Sequence, residues 1–282
     1  MIYVLYHSDK DGQGAAYAAW KKFGETATYI SVNYNQPIPE MENASYVYIV
    51  DFSYKKETLR ELANRMRRVV VIDHHKSAKD ELHPVWQDIT NLEVVFDVTK
   101  AGCTLTWEYF FPSQPIPALL MHIADRDLWK FELAGTKEIH ETLCSYSFSF
   151  ELWSKFVSTS PDLLMKEGEA ILRANNKAIK NICRDPIIMT VGGYTVLAVN
   201  TSFKHSECCS YLLDLIDEKE MYRDCKFAVA YSDQFKGEQI CRKYDLRSRG
   251  DIDVSEVAKK LGGGGHKTAS GFYQYLHPQD IR

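Results

Sequence analysis

Acidic and imidazole side chains follow three short apolar segments near the start of the chain. The segments are Ile2–Tyr6, Tyr46–Val50 and Val69–Ile72, and the polar residues after them are His7, Asp9 and Asp11, then Asp51, then Asp73, His74 and His75. This mixture of carboxylates and imidazoles suits Mn²⁺ or Mg²⁺, and the imidazoles favour Mn²⁺. Two such ions about 3.5–4 Å apart can clamp the attacking and leaving oxygens of a displacement at phosphorus. The residue types therefore predict a two-metal site that hydrolyses phosphate esters.

Each of these groups also has a purely structural interpretation. Asp9-x-Asp11-Gly12 is ordinary turn chemistry, and two histidines after a strand can lie in a surface loop. Asp51 can cap the helix that follows it, although Ser53 suits that position better. The conjunction favours a functional site, because acidic or imidazole residues at three successive strand ends rarely arise by chance.

The three apolar segments are predicted to be buried parallel strands joined by helices, because they are short, continuous and rich in β-branched residues. Tyr54–Arg68 repeats its apolar residues every three or four positions, which predicts a helix with one apolar face. In open α/β sheets, ligands bind at the carboxyl ends of the strands. We therefore expect the polar residues to meet at one edge, with a fourth contribution from Asp125 and Asp127 after Ile116–Ala124.

The second half of the chain follows another pattern. Pro161–Arg184 is predicted to be one helix, and Gly192-Gly193 between two apolar segments indicates a hairpin. A helix, two strands, a short helix and a last strand are predicted after it. The predicted fold class is thus α/β, with a parallel-sheet catalytic domain at 1–158, a helical linker at 159–185 and a smaller α+β substrate domain at 186–282.

Two further features have open interpretations. Successive glycines let backbone N–H groups approach an anion, so Gly263, Gly264 and Gly265 are candidate phosphate-binding residues. The alternative is a flexible turn after the helix that ends at Leu261. Trp129 and Phe131 are interpreted as core residues, with base stacking as the alternative.

Composition places the chain among ordinary globular proteins. It has 282 residues, of which 45% are hydrophobic and 26% charged, and it is long enough for two domains. It contains no apolar run of membrane-spanning length and no signal-peptide pattern. Seven cysteines without a Cys-x-x-Cys pair argue against a disulfide framework or a zinc ribbon, so we expect a cytoplasmic protein. The net charge of −4 argues against a protein that grips long nucleic acid.

Four ordered segments resemble the motifs of the DHH phosphoesterase family. They are His7-x-Asp9-x-Asp11-Gly12, Asp51-Phe52, Asp73-His74-His75 and Ala124-Asp125. The C-terminal part is similar to the DHHA1 domain of one branch of that family, through Leu246-Arg247-Ser248, Asp253-Val-Ser255, Ala258, Gly262–His266 and Ala269-Ser270-Gly271. The resemblance extends from residue 7 to residue 272, which is nearly the whole chain.

The resemblance implies a role for each matching residue. The metal ligands would be His7, Asp9, Asp11, Asp51, His74 and Asp125. The catalytic residues would be Asp51, between the two metal ions, and His75, facing the substrate phosphate. The phosphate-binding residues would be Arg247, His266, Gly263, Gly264 and Gly265. Water is the alternative ligand to His7, because many family members place this histidine four residues before the first aspartate. Asp127 is the alternative to Asp125, which fits the family's Ala-Asp pattern better.

Family members with this short two-domain plan include nucleases of very short RNA, phosphatases of 3′-phosphoadenosine phosphate and dinucleotide phosphodiesterases. By resemblance we expect a phosphodiesterase with two Mn²⁺ ions per active site, or Mg²⁺ in their place, in a cleft between the domains. It would cleave short oligonucleotides or dinucleotides to mononucleotides, and bind neither long nucleic acid nor membranes. The alternatives are an exopolyphosphatase or nucleotide phosphatase and, from another class, a non-catalytic nucleotide sensor. The oligomeric state is left open, and a homodimer is compatible with the sequence.

Overall fold

The chain divides into two compact units, Met1–Leu172 and Arg173–Arg282. The structure is a computed structural model, and it describes residues 1–33, 36–82, 88–237 and 239–276. No helix within those ranges combines the length and the apolar character needed to span a membrane. All seven cysteines are free thiols, and only Cys144 is exposed.

The first unit alternates strands and helices and then continues with helices alone. Its elements are β1 (Ile2–His7), α1 (Lys10–Phe23), β2 (Ala27–Val32), β3 (Tyr46–Val50), α2 (Lys56–Arg65), β4 (Arg68–Asp73), α3 (Lys76–Leu82), β5 (Leu92–Phe96), α4 (Gly102–Phe110), α5 (Ala118–Asp127), α6 (Thr136–Cys144), α7 (Phe150–Ser158) and α8 (Pro161–Ile182). The strands form one sheet in the order β2-β1-β3-β4-β5, and every pairing is parallel. The predicted N-terminal parallel sheet is therefore confirmed.

Strands β1, β3 and β4, which the sequence predicts, are neighbours in the middle of this sheet. The two strands that the sequence analysis did not identify, β2 and β5, lie at the edges. All residues of β5 are partly exposed, and only Val32 of β2 is buried. A strand needs a continuous apolar run only when both of its faces are buried. These edge strands have no such run, so the sequence pattern does not identify them as strands. Because β2 pairs outside β1, it does not separate the three strand ends that carry the polar residues.

Both faces of the sheet are buried, as expected of parallel strands. Val47 and Ile49 of β3 face one core, to which α2 contributes Leu59. Val50 of β3 and Ile72 of β4 face the opposite core, where α1 and α4 pack. This alternation places successive residues on opposite faces and leaves the strand ends to present the residues that follow them.

Helix α8 contributes to both units. Its first turns carry Leu164, which packs in a core of the first unit with Trp153 and Leu143. Ile179, fifteen residues further on, packs in the second unit against Cys208. The segment 159–185, predicted as a helical linker, is mostly the helix α8, whose two ends pack in different cores.

The second unit contains a mixed sheet flanked by helices. Its elements are β6 (Ile187–Val191), β7 (Tyr194–Asn200), α9 (His205–Glu218), β8 (Ala228–Lys236), β9 (Gln239–Arg247), α10 (Val254–Lys260), β10 (Gly264–His266) and β11 (Ala269–Tyr275). The strand order is β10-β11-β9-β8-β7-β6, with β7 and β8 parallel and the other described pairs antiparallel. The predicted smaller C-terminal α+β domain is confirmed.

Truncation of Leu59 should destabilise the first unit. Leu59 is fully buried between α2 and the sheet, so Leu59→Ala leaves a cavity and should lower the free energy of unfolding by about 2–5 kcal/mol. Leu163→Ala is the matched control, because Leu163 is 62% exposed and its truncation should change stability by less than about 0.5 kcal/mol. Denaturant titration of both variants tests this; equal losses would contradict the described core.

Candidate metal centre

The ends of β1, β3 and β4 bring a cluster of acidic and imidazole side chains together. His74, after β4, holds its Nε2 atom 3.2 Å from Oδ1 of Asp51, 3.5 Å from Oδ2 of Asp11 and 3.6 Å from Oδ2 of Asp127. At the other side of Asp51, His7 Nδ1 lies 3.7 Å from Oδ2 of Asp51 and 2.9 Å from Asp9 Oδ2. These side chains come from four separate segments, so only the sheet and α5 bring them together.

Asp51 lies at the centre of the cluster and is held there by an uncommon backbone conformation. Its φ of 63° is in the left-handed region, which aspartate tolerates better than most residues. Its N–H donates to the Ile72 carbonyl of β4 at 2.8 Å, so the turn begins as the strand ends. The side chain is 1% exposed, and its oxygens face the imidazoles of His74 and His7 without a well-formed hydrogen bond from the described residues. A buried carboxylate without well-formed hydrogen bonds is costly unless a cation or donor approaches it.

Asp11 is anchored by the beginning of α4. The N–H groups of Gly102 and Cys103 donate to its two oxygens at 2.6 and 2.9 Å, which directs the positive end of the α4 dipole at the carboxylate. A Cβ atom on Gly102 would lie 2.4 Å from Asp51 Oδ1, so glycine is required for helix α4 to approach this closely. Sequence analysis did not identify Gly102 or Cys103. The available signal is a glycine directly before a helix-forming apolar run.

Asp73 holds His75 in place. Its Oδ1 atom accepts from His75 Nδ1 at 2.7 Å and from the His74 N–H at 2.7 Å, and its Oδ2 accepts from Ser53 Oγ at 2.7 Å. Burial would raise the pKa of Asp73, but His75 and these hydrogen bonds outweigh it and lower the pKa to about 2. Asp73 is therefore an anion that fixes the imidazole ring and its tautomer. Ser53, considered from sequence as a helix cap, serves this carboxylate instead.

Asp9 and Gly12 shape the first turn after β1. Asp9 caps α1 by accepting the Gly12 N–H at 2.9 Å, which starts the helix at Lys10. A Cβ on Gly12 would lie 2.0 Å from the His7 carbonyl oxygen, so the turn requires glycine. Asp9 therefore combines both predicted roles. One oxygen makes the turn by capping α1, and the other faces His7 in the acidic cluster.

Of the two aspartates at the end of α5, Asp127 and not Asp125 faces the cluster. The Asp125 carboxylate accepts three hydrogen bonds from the chain that follows, from Glu132 N at 2.9 Å, Leu133 N at 3.1 Å and Thr136 Oγ1 at 2.6 Å. Asp127 instead lies beside His74. The family pattern Ala124-Asp125 thus picks out the residue that holds the loop. Helical periodicity along α5 does not show which of the two carboxylates is directed toward the sheet.

The loop held by Asp125 contains two aromatic residues with left-handed backbones. Trp129 has a φ of 57° and Phe131 a φ of 54°, and each such residue costs on the order of 1–3 kcal/mol. The Asp125 carbonyl accepts the Lys130 N–H at 2.9 Å, which together with the Asp125 carboxylate keeps the loop in this conformation. Trp129 is 38% exposed, so its interpretation as a core residue is wrong; Phe131 is half-buried.

In the second unit, Arg247 ends β9 and its guanidinium is oriented by hydrogen bonds. Nη2 donates to Ser206 Oγ at 2.7 Å and Nη1 donates to the Leu246 carbonyl at 2.9 Å. Two residues earlier, Asp245 accepts from His205 Nδ1 at 2.6 Å and pairs with Lys243 at 3.1 Å. The end of β9 therefore places Arg247 beside the start of α9.

The glycines before His266 have separate structural duties. Gly262, with a φ of 82°, ends α10, and its N–H donates to the Lys259 carbonyl. A Cβ on Gly263 would lie 2.0 Å from the Gly271 oxygen and one on Gly265 would lie 2.6 Å from the Ala269 oxygen, so both permit close packing of β10 and β11. Gly264 alone of the four glycines has neither a close neighbour nor a positive φ. The segment is a short paired strand and not a flexible turn.

The donor set fits divalent cations. Burial and the neighbouring Asp51 raise the pKa of Asp11 to about 8, and burial and Asp11 raise the pKa of Asp127 to about 7. Burial would lower the pKa of His74, but Asp51 and Asp11 outweigh it and raise the pKa to about 11. Burial and mutual repulsion thus keep protons on these carboxylates in the metal-free protein, and divalent cations, which take oxygen and nitrogen ligands, could replace those protons. Three overlapping groups within the first unit have the required geometry: His7 with Asp9 and Asp51, Asp11 with Asp51 and His74, and Asp51 with Asp73 and His75.

Comparison with known proteins agrees with this fold. Residues 1–126 match the model of the DHH family, N-terminal domain. The chain is 31% identical to an uncharacterized protein of Acanthamoeba polyphaga mimivirus, over 95% of this chain and 66% of the viral protein. It is 24% identical to oligoribonuclease NrnB of Bacillus subtilis, over 96% of this chain and 72% of NrnB. The pGpG-specific phosphodiesterase PggH of Vibrio cholerae shares the fold with 16% identity and a TM-score of 0.52, covering 99% of this chain and 95% of PggH.

The chain belongs to the DHH family of phosphoesterases. The family resemblance inferred from the four motifs is thereby confirmed. The viral protein is longer than this chain, which spans about two thirds of its length.

Metal binding should release protons, and it should release more of them at low pH. Asp11 and Asp127 have raised pKa values, so both are protonated at pH 6 in the metal-free protein and ionised at pH 9. Mn²⁺ must displace these protons, and its affinity should therefore rise about tenfold per pH unit for each displaced proton until the pKa is passed. Calorimetry at pH 6 and pH 9, in buffers of different ionisation enthalpy, counts the protons; an equal count at both pH values would contradict the raised pKa values.

Asp127→Asn and Asp125→Asn should separate metal binding from loop stability. Asp127→Asn should weaken Mn²⁺ binding by about tenfold or more, since a candidate ligand facing His74 loses its charge. Asp125→Asn should keep the metal stoichiometry but lower the free energy of unfolding by about 1–3 kcal/mol, because charge-assisted hydrogen bonds to the loop are weakened. Elemental analysis after dialysis and thermal denaturation test the pair. A loss of metal confined to Asp125→Asn would restore Asp125 as the ligand.

Proposed function

We propose that this protein is a Mn²⁺-dependent phosphodiesterase that cleaves short oligonucleotides or dinucleotides to mononucleotides. The observation that carries the proposal is the convergence of Asp11, Asp51 and Asp127 on Nε2 of His74 within 3.2–3.6 Å. Such a cluster of mutually repelling carboxylates destabilises the protein by itself and suits a pair of cations facing an anionic substrate. It argues against a nucleotide sensor, since a pure binder has little need for an activated water.

The ligands are proposed to divide between two cations. Asp51 would contact both, because it lies between the His7–Asp9 side and the Asp11–His74 side of the cluster. Asp127 completes the second group in place of Asp125. When bound, the metal pair would lower the pKa of the attacking water and stabilise the negative charge that develops at phosphorus.

The chain's own residues would orient and neutralise the substrate. His75, fixed by Asp73 through Nδ1, is proposed to face the substrate phosphate with its other ring nitrogen. The second unit is proposed to supply Arg247, His266 and the backbone of Gly264 for a neighbouring phosphate. Arg247 is suited to this because its guanidinium is already oriented by Ser206 and a planar fork matches phosphate oxygens. Water would attack phosphorus, the ester P–O bond would break, and the leaving oxygen would take up a proton.

A short substrate is proposed on the basis of charge and similarity. The net charge is −4, whereas proteins that neutralise many phosphates usually carry a basic surplus. NrnB, with which the chain shares 24% identity along 96% of its length, is an oligoribonuclease, and PggH, which shares its fold, is specific for pGpG. Both names support a substrate of a few nucleotides.

The rate of hydrolysis should be highest for short strands. With Mn²⁺ fixed and two salt concentrations, kcat/KM should peak at two to about five nucleotides and fall for longer oligomers, because few cationic residues contact the substrate. Chromatography of labelled oligomers of increasing length tests this, with Asp51→Asn as the inactive control. Faster cleavage of a long strand than of a dinucleotide would contradict the proposed length. Release of phosphate from polyphosphate, with no cleavage of any oligomer, would replace the proposal with an exopolyphosphatase.

A further inference from the structure

We infer that Trp129 is a stacking platform for a nucleobase of the substrate, located next to the metal ligands. The inference rests on the proposed function. It concerns the nucleobase, the part of the substrate that the acidic cluster would not contact. It follows from where Trp129 lies, how it is exposed and how its backbone is held.

The position follows from the end of α5. Asp127, the last residue of this helix, lies 3.6 Å from His74, and Trp129 is only two residues further along the chain. Two residues span at most about 7 Å. A phosphate bound at the cluster is separated from its base by one ribose, so the base of a bound nucleotide falls within reach of an aromatic ring attached at this point.

Trp129 differs from the buried tryptophans of the same unit. Trp153 is 1% exposed and Trp107 is 6% exposed, whereas Trp129 is 38% exposed. The Arg126 guanidinium lies 4.7 Å from the centroid of the Trp129 ring, and Phe131 meets the ring nearly perpendicularly at 4.9 Å. The indole is therefore supported by its neighbours without being enclosed by them, which is what a stacking surface requires.

The backbone of this loop is held in an uncommon conformation. Trp129 and Phe131 both have positive φ, a conformation that glycine or asparagine adopts with less strain. The carboxylate of Asp125 maintains this conformation through the Glu132 and Leu133 N–H groups. A buried carboxylate thus maintains a strained backbone beside the acidic cluster. Such strain favours a binding role for the two aromatic rings over a packing role.

The chemistry of such a platform discriminates between classes of substrate. Every nucleobase has a π face, so stacking tolerates any base sequence, but an inorganic phosphate chain has no base to stack. Lys137 lies 4.8 Å from the Phe131 ring and adds a cation near the same surface. Trp129 would thus favour nucleotides over polyphosphate without selecting one base strictly.

Kinetics on paired substrates test the inference. The test compares a dinucleotide with an abasic dinucleotide of the same sugar-phosphate backbone, both with Mn²⁺. Trp129→Asn tolerates the left-handed backbone and should lower kcat/KM for the dinucleotide about tenfold or more while changing the abasic substrate less than twofold. Trp129→Phe should retain most of the activity. Tyr46→Ala is the matched control, because Tyr46 is 40% exposed at the opposite, amino end of β3 and should affect neither substrate.

A binding measurement keeps the inference testable without turnover. Titration of metal-free protein with adenosine monophosphate should quench tryptophan fluorescence, and this quenching should be lost in Trp129→Asn and kept in Tyr46→Ala. Equal losses for the base-containing and abasic substrates, or unchanged quenching in Trp129→Asn, would overturn the base platform and leave the phosphodiesterase proposal intact. Absence of hydrolysis with every substrate would instead reject the proposed function, while the quenching still decides the role of Trp129. A changed oligomeric state in Trp129→Asn, with unchanged kinetics and quenching, would identify Trp129 as a contact between copies of the chain.

Discussion

The site depends on the mutual repulsion of buried carboxylates. Asp51 and Asp11 are 1% and 2% exposed, and burial with a like charge raises the pKa of both. A protein selected for stability alone would replace them by apolar residues, since buried charges are costly unless they are paired. Here the surrounding fold keeps them in place. A cation bound at this cluster would relieve the repulsion, so cation affinity and the stability of the first unit would be linked.

The fold holds this cluster together by dividing two roles between neighbouring residues: one residue fixes the local structure and another faces the cluster. Asp73 holds the ring of His75, while His74 contacts the other carboxylates. Asp125 holds the loop after α5, while Asp127 faces His74. In these two motifs, one acidic side chain holds the backbone or an adjacent ring, and a nearby residue faces the cluster. At Asp9 one side chain does both, because one oxygen caps α1 and the other faces His7.

Close backbone approach is the second requirement of the site. Gly102 lets the start of α4 touch Asp51, and Gly12 lets α1 turn directly over the His7 carbonyl. In the second unit, Gly263 and Gly265 are needed for the pairing of β10 with β11. Glycines that look like a phosphate-binding loop in the sequence therefore have a packing function first, and Gly264 is the member of the run that packing leaves available.

Sequence alone determined the α/β class, the three central strands and the residues at their ends. It could do so because strands covered on both faces are continuously apolar, and the carboxyl ends of neighbouring parallel strands meet. Tertiary structure decided what local patterns do not encode. The edge strands β2 and β5 have no such apolar run. The N–H groups that donate to Asp11 come from residues 102 and 103, in another element. Which of Asp125 and Asp127 faces the cluster depends on how the end of α5 is oriented toward the sheet. Trp129 lies exposed in a loop whose backbone donates hydrogen bonds to the Asp125 carboxylate, and a loop held in this way leaves no periodic signal in the sequence.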